Sequence, residues 1–230
     1  MAGSDTVIGY KTYVDLAKPL LTGQEVVSSR MTQELDRAAQ ALDLALSGRR
    51  VALVSGGDPG VYAMAAVVYE LVKKRNIALG AGKDRLRVEV VPGVPAVTAS
   101  AALLGAPLSH DFCCISLSDR LTPWEIIADR LTHAAQADFV IALYNPKSRG
   151  RDWQYPEALA LVGAHRKPET PVGIVSRAMR EGQRISLLRL HEAAEAQVDM
   201  QTLVIIGNSQ TFIFGDRMIT PRGYLAKYDK

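Results

Sequence analysis

The clearest capacity for chemistry lies in Ser55-Gly56-Gly57-Asp58-Pro59-Gly60. These residues follow a short apolar run, Val51 to Val54, and precede a helical pattern that begins at Val61. A strand that ends in a glycine-rich turn and feeds a helix leaves main-chain N–H and C=O groups bare at the carboxyl edge of a sheet. Two adjacent glycines remove the Cβ atoms that would keep a ligand off that main chain. Asp58 adds one carboxylate, and Pro59 stiffens the exit. The pattern describes a place to hold a small polar ligand, and it equally describes an ordinary strand-to-helix turn. No Gly-Lys-Ser/Thr follows the loop, which disfavours a nucleotide phosphate.

The elements that must position this loop read as alternating strands and helices. Asp5–Tyr10 is strand-like, and Lys11–Leu21 is a turn and short helix. Met31–Ser47 is amphipathic, with Leu35, Ala38, Leu42 and Leu46 at helical spacing. Val61–Arg75 carries Met64, Val67, Val68, Leu71 and Val72 on one face, and ends in three cations where the helix dipole favours them. Val88–Val91 reads as a strand, followed by Pro92-Gly93-Val94-Pro95 and a helix of small residues over Ala96–Leu104. Phe112–Leu117 and Asp138–Tyr144 read as buried strands. Thr122-Pro123-Trp124-Glu125 between them matches a capping box with Thr122 as N-cap. A polar, basic loop spans Asn145–Asp152. Strands alternating with helices predict an α/β fold with a parallel sheet, whose carboxyl edge is where ligands bind.

Beyond the basic loop the pattern changes. A helix over Glu157–Ala164 leads to a strand at Val172–Ser176, a turn at Arg177–Gly182 and a return strand at Arg184–Leu188. A short helix, a strand at Leu203–Gly207 and short strand-like pieces to Tyr224 complete the chain. That mixture predicts a second, partly antiparallel sheet, with domains over 1–145 and 146–230.

The totals narrow the function classes. In 230 residues, 48% are hydrophobic and 22% charged, which is globular composition with ample core. A formal charge of +3 is too weak to argue for nucleic acid and compatible with an anionic small molecule. The only cysteines, Cys113 and Cys114, are neighbours; with no Cys-x-x-Cys or His-x-x-x-His spacing, neither a disulfide framework nor a metal site is predicted. A reducing, cytoplasmic setting is expected, with no signal peptide and no membrane-spanning run.

Six motifs in order, VIGYKTYVDL at Val7–Leu16, SGGDPGVY at Ser55–Tyr62, VPGVPAVTASAALLGAPLSHDF at Val91–Phe112, ISLSDRLTPWE at Ile115–Glu125, LYNPKSRGR at Leu143–Arg151 and ITPRGY at Ile219–Tyr224, resemble the tetrapyrrole methylase superfamily. The first, fourth and last resemble its precorrin-3B C17-methylating branch. The resemblance covers essentially the whole chain, except that the family's opening strand and Gly-x-Gly-Pro-Gly loop have no counterpart here.

The resemblance implies two α/β domains, the first with a mainly parallel sheet and the second with a mixed one, and S-adenosylmethionine in the cleft between them. It implies transfer of a methyl group to C17 of precorrin-3B, or of its cobalt form, with ring contraction to precorrin-4 in cobalamin biosynthesis. The alternatives are a methylase of another corrin carbon and a non-catalytic tetrapyrrole or cofactor binder.

By the same resemblance Gly56, Gly57, Asp58 and Val61 cradle the cofactor, Pro95 and Ala96 stand at a Thr-Ala position of relatives, and Asn145 stands where relatives often carry methionine. Ala178 faces the adenine, and Thr220 and Pro221 close its pocket. Ring contraction needs a proton moved at a hydroxyl, for which Asp119 and then His110 are the candidates; a turn residue and a helix-end histidine are their ordinary readings. Lys147, Arg149 and Arg151 are expected to meet substrate carboxylates, against the ordinary reading of a solvated basic surface. Arg177, Arg180 and Arg184 form a second basic group with no role assigned. Lys11 and Tyr13 are expected to cover the tetrapyrrole, and Trp124 and Trp153 to pack rather than stack on it. A homodimer is implied.

Overall fold

A computed structural model describes residues 1–30, 33–82 and 84–228. The chain divides into two compact units, Met1–Pro95 and Ala96–Lys230.

In the first unit, β1 (Thr6–Tyr10), β2 (Glu25–Ser29) and β3 (Val51–Val54) form a parallel sheet in the order β2-β1-β3. The central strand is the buried one, with Val7 and Ile8 fully enclosed. Helix α1 (Lys11–Ala17) follows β1 directly, and α2 (Glu34–Leu46) packs on α3 (Met64–Lys74). Ala38, Leu42, Met64, Leu71 and Val72 meet there. The face expected for α2 is therefore turned: Ala38, Ala41 and Leu42 go in, while Leu35 and Leu46 at its two ends stay exposed. Arg37 is also buried, and its guanidinium donates to Ser29 Oγ and the Arg30 carbonyl. Met31 and Thr32, the expected start of that helix, lie outside the described residues.

Val88–Val91 does not form the expected strand. The segment carries no ladder, and Val90 and Val91 are exposed. An apolar run becomes a strand only where another strand offers it an edge, and none of the described strands does so here.

In the second unit, β5 (Phe112–Ser116), β6 (Val140–Tyr144), β7 (Pro171–Ser176), β8 (Arg184–Arg189) and β9 (Thr202–Ile206) make a mixed sheet in the order β5-β6-β9-β7-β8. β5 and β6 are parallel, and the remaining pairs are antiparallel. Strand alternation sends Ile141, Leu143, Val204 and Ile206 to one face, against α5 (Trp124–Gln136) and α6 (Gln154–Gly163). Val140, Ala142, Leu203 and Ile205 go to the other face, against α4 (Ala96–Leu104). Gly173 on β7 lies so close beneath Leu104 that any Cβ there would overlap its methyls. A small sheet joins β4 (Gly105–Ala106) to β11 (Arg217–Ile219) and its hairpin partner β10 (Phe212–Phe214), and α7 (Tyr224–Tyr228) follows.

Two expectations shift. The boundary lies at 95/96 rather than 145/146, because β5 and β6, before residue 145, share one sheet with β7, β8 and β9, after it. The expected capping box also fails: α5 begins at Trp124 with Pro123 as N-cap and no side-chain cap, so Thr122 stands one residue too early.

Candidate functional site

The loop after β3 is pinned by Asp58. Its Oδ1 accepts the Gly60 N–H at 2.7 Å, and its Oδ2 accepts the Gly93 N–H at 3.0 Å. Those two N–H donors hold the carboxyl below the usual carboxylate range. One side chain thus ties loop 55–60 to loop 92–95 at the carboxyl edge of a parallel sheet. Gly93 lies against the Gly57 carbonyl with no room for a Cβ, so the two main chains touch. Gly57 takes φ +71°, which favours glycine.

Gly56 is different. Its open side is filled by the ring of Tyr13, which stands edge-on to Tyr10 at 5.5 Å between centroids. Tyr13 is therefore packed onto the loop itself. Lys11 is exposed and pairs with Asp15 at 2.5 Å. Val61 donates its N–H to the Asp58 carbonyl at 3.2 Å, closing a turn that delays α3 to Met64. Pro95 ends this unit and Ala96 begins the next. With the Gly60 N–H and the Asp58 and Pro59 carbonyls engaged within the loop and its helix, what the loop offers an amino-acid-like ligand is a rigid, glycine-lined edge that carries one ionised carboxylate.

The second unit gathers a different set. β6 ends at Tyr144, and Asn145 takes a left-handed φ of +53°, its Nδ2 donating to Ser116 Oγ at 2.9 Å. Beyond it a tight turn forms, with Ser148 and Arg151 exchanging both main-chain hydrogen bonds. Arg151 is only 6% exposed, and its guanidinium donates to the Leu117 carbonyl at 2.8 Å and the Asn145 carbonyl at 2.7 Å. Burial disfavours its charged form, and Asp119 favours it. Arg151 is therefore an internal strut and not the exposed substrate contact expected, because carbonyls at the ends of β5 and β6 already occupy its donors. Lys147 and Arg149, on the same turn, are exposed.

Asp119 is half-buried and accepts from Gln154 Nε2 at 2.8 Å. Gln154, at the start of α6, is 1% exposed, and its carbonyl oxygen has no partner among the described residues. An open hollow of about 370 Å³ is lined by Asp119, Arg120, Arg149, Arg151, Trp153 and Gln154. Gln154 was not legible as a site residue; its only signal was a position three residues past Arg151 at a helix start. Trp153 packs edge-on against Trp124 at 4.9 Å.

His110 lies elsewhere. It precedes β5 whereas Asp119 follows it, so a five-residue strand, roughly 17 Å, separates their ends of the sheet. Its Nδ1 accepts the Asp111 N–H at 2.8 Å. Thr220 is fully buried and shares a hydrogen bond with Thr211 at 2.8 Å. Thr211 packs against Gly207 at the end of β9, which runs antiparallel to β6. That places Thr220, with the half-buried Pro221 after it, at the sheet end opposite Asn145. Ala178 is half-buried just beyond β7, which runs parallel to β6, so it shares the Asn145 end. The structure thus brings Asp119, Asn145 and Ala178 to one sheet end and keeps His110 and Thr220 at the other.

A family model described as Tetrapyrrole (Corrin/Porphyrin) Methylases matches residues 1–194. The chain is 48% identical over 225 residues to a cobalt-factor III methyltransferase of Priestia megaterium, covering 98% of this chain and 41% of that protein, so it spans less than half of that relative. It is 45% identical over 229 residues to a precorrin-3B C(17)-methyltransferase of Sinorhizobium sp, covering 97% of this chain and 88% of the other. Among solved structures it is similar to the methyltransferase CobJ, with a TM-score of 0.86 and 38% identity over 95% of this chain and 89% of that one. With the family match spanning most of its length, the chain belongs to the tetrapyrrole (corrin/porphyrin) methylases.

Proposed function

We propose that the protein is an S-adenosylmethionine-dependent methyltransferase that methylates C17 of precorrin-3B, or of its cobalt-bearing counterpart, with ring contraction to precorrin-4 in cobalamin biosynthesis. The likeness to proteins so named supports the reaction, and the observation that carries the cofactor reading is the glycine loop pinned by Asp58 at the end of β3.

When bound, the cofactor supplies an electrophilic methyl group on a sulfonium, which needs little acid or base help. The work left to the chain is placement, and alignment of two reactants supplies most of such a rate. Main chain at Gly57 to Gly60 holds the amino-acid end, Asp58 keeps that main chain in place, and Tyr13 walls its Gly56 side. Val61, Pro95, Ala96, Asn145 and Ala178 complete the proposed cofactor contacts. The inward turn of the Thr220 hydroxyl argues against its contacting the adenine. Asp119 is preferred over His110 for moving a proton at a substrate hydroxyl, since it lines a hollow beside a buried amide that orients it. Cys113 and Cys114 stand outside any disulfide, which suits a reducing, cytoplasmic setting. The homodimer follows from the resemblance alone, and light scattering tests it.

Calorimetric titration with S-adenosylhomocysteine tests the cofactor reading. Micromolar binding by the wild type and at least about tenfold weaker binding by Asp58→Ala are expected, since two charge-assisted hydrogen bonds are lost. A folded wild-type protein that binds none would sink the reading.

A further inference from the structure

A second open hollow, of about 460 Å³, lies beside the Asp119 hollow and shares Ser148 and Arg149 with it. Lys147, Arg149 and Arg177 contribute cations to its lining, and Asp199, Met200 and Gln201 contribute much of the remainder. Among the described residues, none of the three cations takes part in an ion pair. Asp199 is the one acid in the lining, and its Oδ1 is already engaged by the Gln201 N–H and the Thr202 hydroxyl, both at 2.8 Å. The hollow thus carries an excess of positive charge that the protein does not neutralise.

The frame around these cations is fixed. Arg149 stands at the tip of the Ser148–Arg151 turn, which the buried Arg151 anchors to the ends of β5 and β6. Arg177 follows β7 and is tied through its own N–H to the Gln201 carbonyl at 2.9 Å. A left-handed φ of +53° at Arg177 turns the chain there, and its guanidinium lies near Gly182. Cations held on two separate, anchored segments around one hollow differ from a run of charges along a solvated face, which has no concave site to share.

We propose that Lys147, Arg149 and Arg177 frame a carboxylate subsite that anchors the acidic side arms of a tetrapyrrole, with Arg177 the residue that decides its affinity. Unpaired guanidinium groups around a concavity favour planar, bidentate anions such as carboxylates. The adjoining hollow with Asp119 would then receive the part of the same molecule that reacts. This rests on the methylase reading only for the identity of the molecule that bears the carboxylates.

The test is a titration with uroporphyrin, a stable polycarboxylate tetrapyrrole, followed by quenching of tryptophan fluorescence, since Trp153 lines the adjoining hollow. Arg177→Gln is expected to raise Kd about tenfold, and Arg177→Lys to recover part of the loss. Raising the salt concentration should shrink the difference between Arg177→Gln and wild type. The control is Lys73→Gln with Lys74→Gln, which removes two cations from the end of α3 and should leave Kd unchanged. No uroporphyrin binding by the wild type, an Arg177→Gln Kd within twofold of it, or an equal loss in the control would each overturn the proposal. S-adenosylhomocysteine binding, measured on the same samples by calorimetry, judges the methylase reading separately, because that ligand lacks the side arms this subsite takes.

Discussion

At the scale of single residues, two charged side chains that resemble ligand contacts in sequence have structural duties, and the two duties predict different failures. Arg151 serves the carbonyls of Leu117 and Asn145 from a buried position. Arg151→Met keeps much of the stem packing and strands both carbonyls, so a loss of about 1–3 kcal/mol is expected in urea denaturation. Arg149→Gln, two residues away and exposed, should leave the unfolding free energy within about 0.5 kcal/mol of wild type while weakening uroporphyrin binding. Asp58 combines both kinds of duty, since its two oxygens accept the N–H groups that hold the glycine loop in place. Its carboxyl pKa is lowered on folding, so the loop is tied above the ordinary carboxylate range and the tie is lost as pH falls through the lowered value. Affinity for S-adenosylhomocysteine should therefore hold from neutrality down to about pH 4 and fall only at more acid pH, as calorimetry across that range would show.

At the scale of elements, β5 and β7 make their own demands. Burial pushes the Cys113 thiol on β5 from 9.0 up to about 11. The unfolded chain therefore releases that proton first, and folding stability should decline as pH rises from about 9 to about 11. Cys113→Val should flatten that decline in urea midpoints measured at successive pH values, and native Cys113 should react slowly with iodoacetamide near neutrality. Gly173 on β7 sits under Leu104 of α4, so Gly173→Ala is expected to cost about 1–3 kcal/mol, with Leu104→Ala relieving part of the loss in the double variant. Elements of this kind were largely legible in the sequence, because β6 and β9 are continuous apolar runs and α3 has a clean inward face. What escaped depends on partners distant in sequence. Val88–Val91 has strand composition but no strand beside it, and the inward face of α2 is set by where α3 lies rather than by its own leucines. The glycine loop could be read locally because its residue types alone allow close main-chain approach. Gln154 could not, since its meaning comes from Asp119, 35 residues earlier in the chain.

At the scale of the whole molecule, the two units differ in how much holds each together. Among the described residues, the first has one cluster of buried apolar side chains, Ala38, Leu42, Met64, Leu71 and Val72, with Val7 and Ile8 enclosed in its three-stranded sheet. The second has a five-stranded sheet with apolar clusters on both faces. Burial of apolar surface is the main favourable contribution to folding, so the first unit is the less stable of the two. Heating should then produce two calorimetric transitions, the lower one belonging to Met1–Pro95. The pinned glycine loop lies in that unit, and a ligand that binds only the folded form stabilises it by about 2.7 kcal/mol at a hundredfold excess over its Kd. S-adenosylhomocysteine should accordingly raise the lower transition more than the upper, and Asp58→Ala should abolish most of that shift. Uroporphyrin, held by Lys147, Arg149 and Arg177 in the second unit, should act in the opposite order and raise the upper transition. A single transition raised equally by both ligands would show that the units unfold together, and would remove the argument that the first unit's small core makes it the weaker partner.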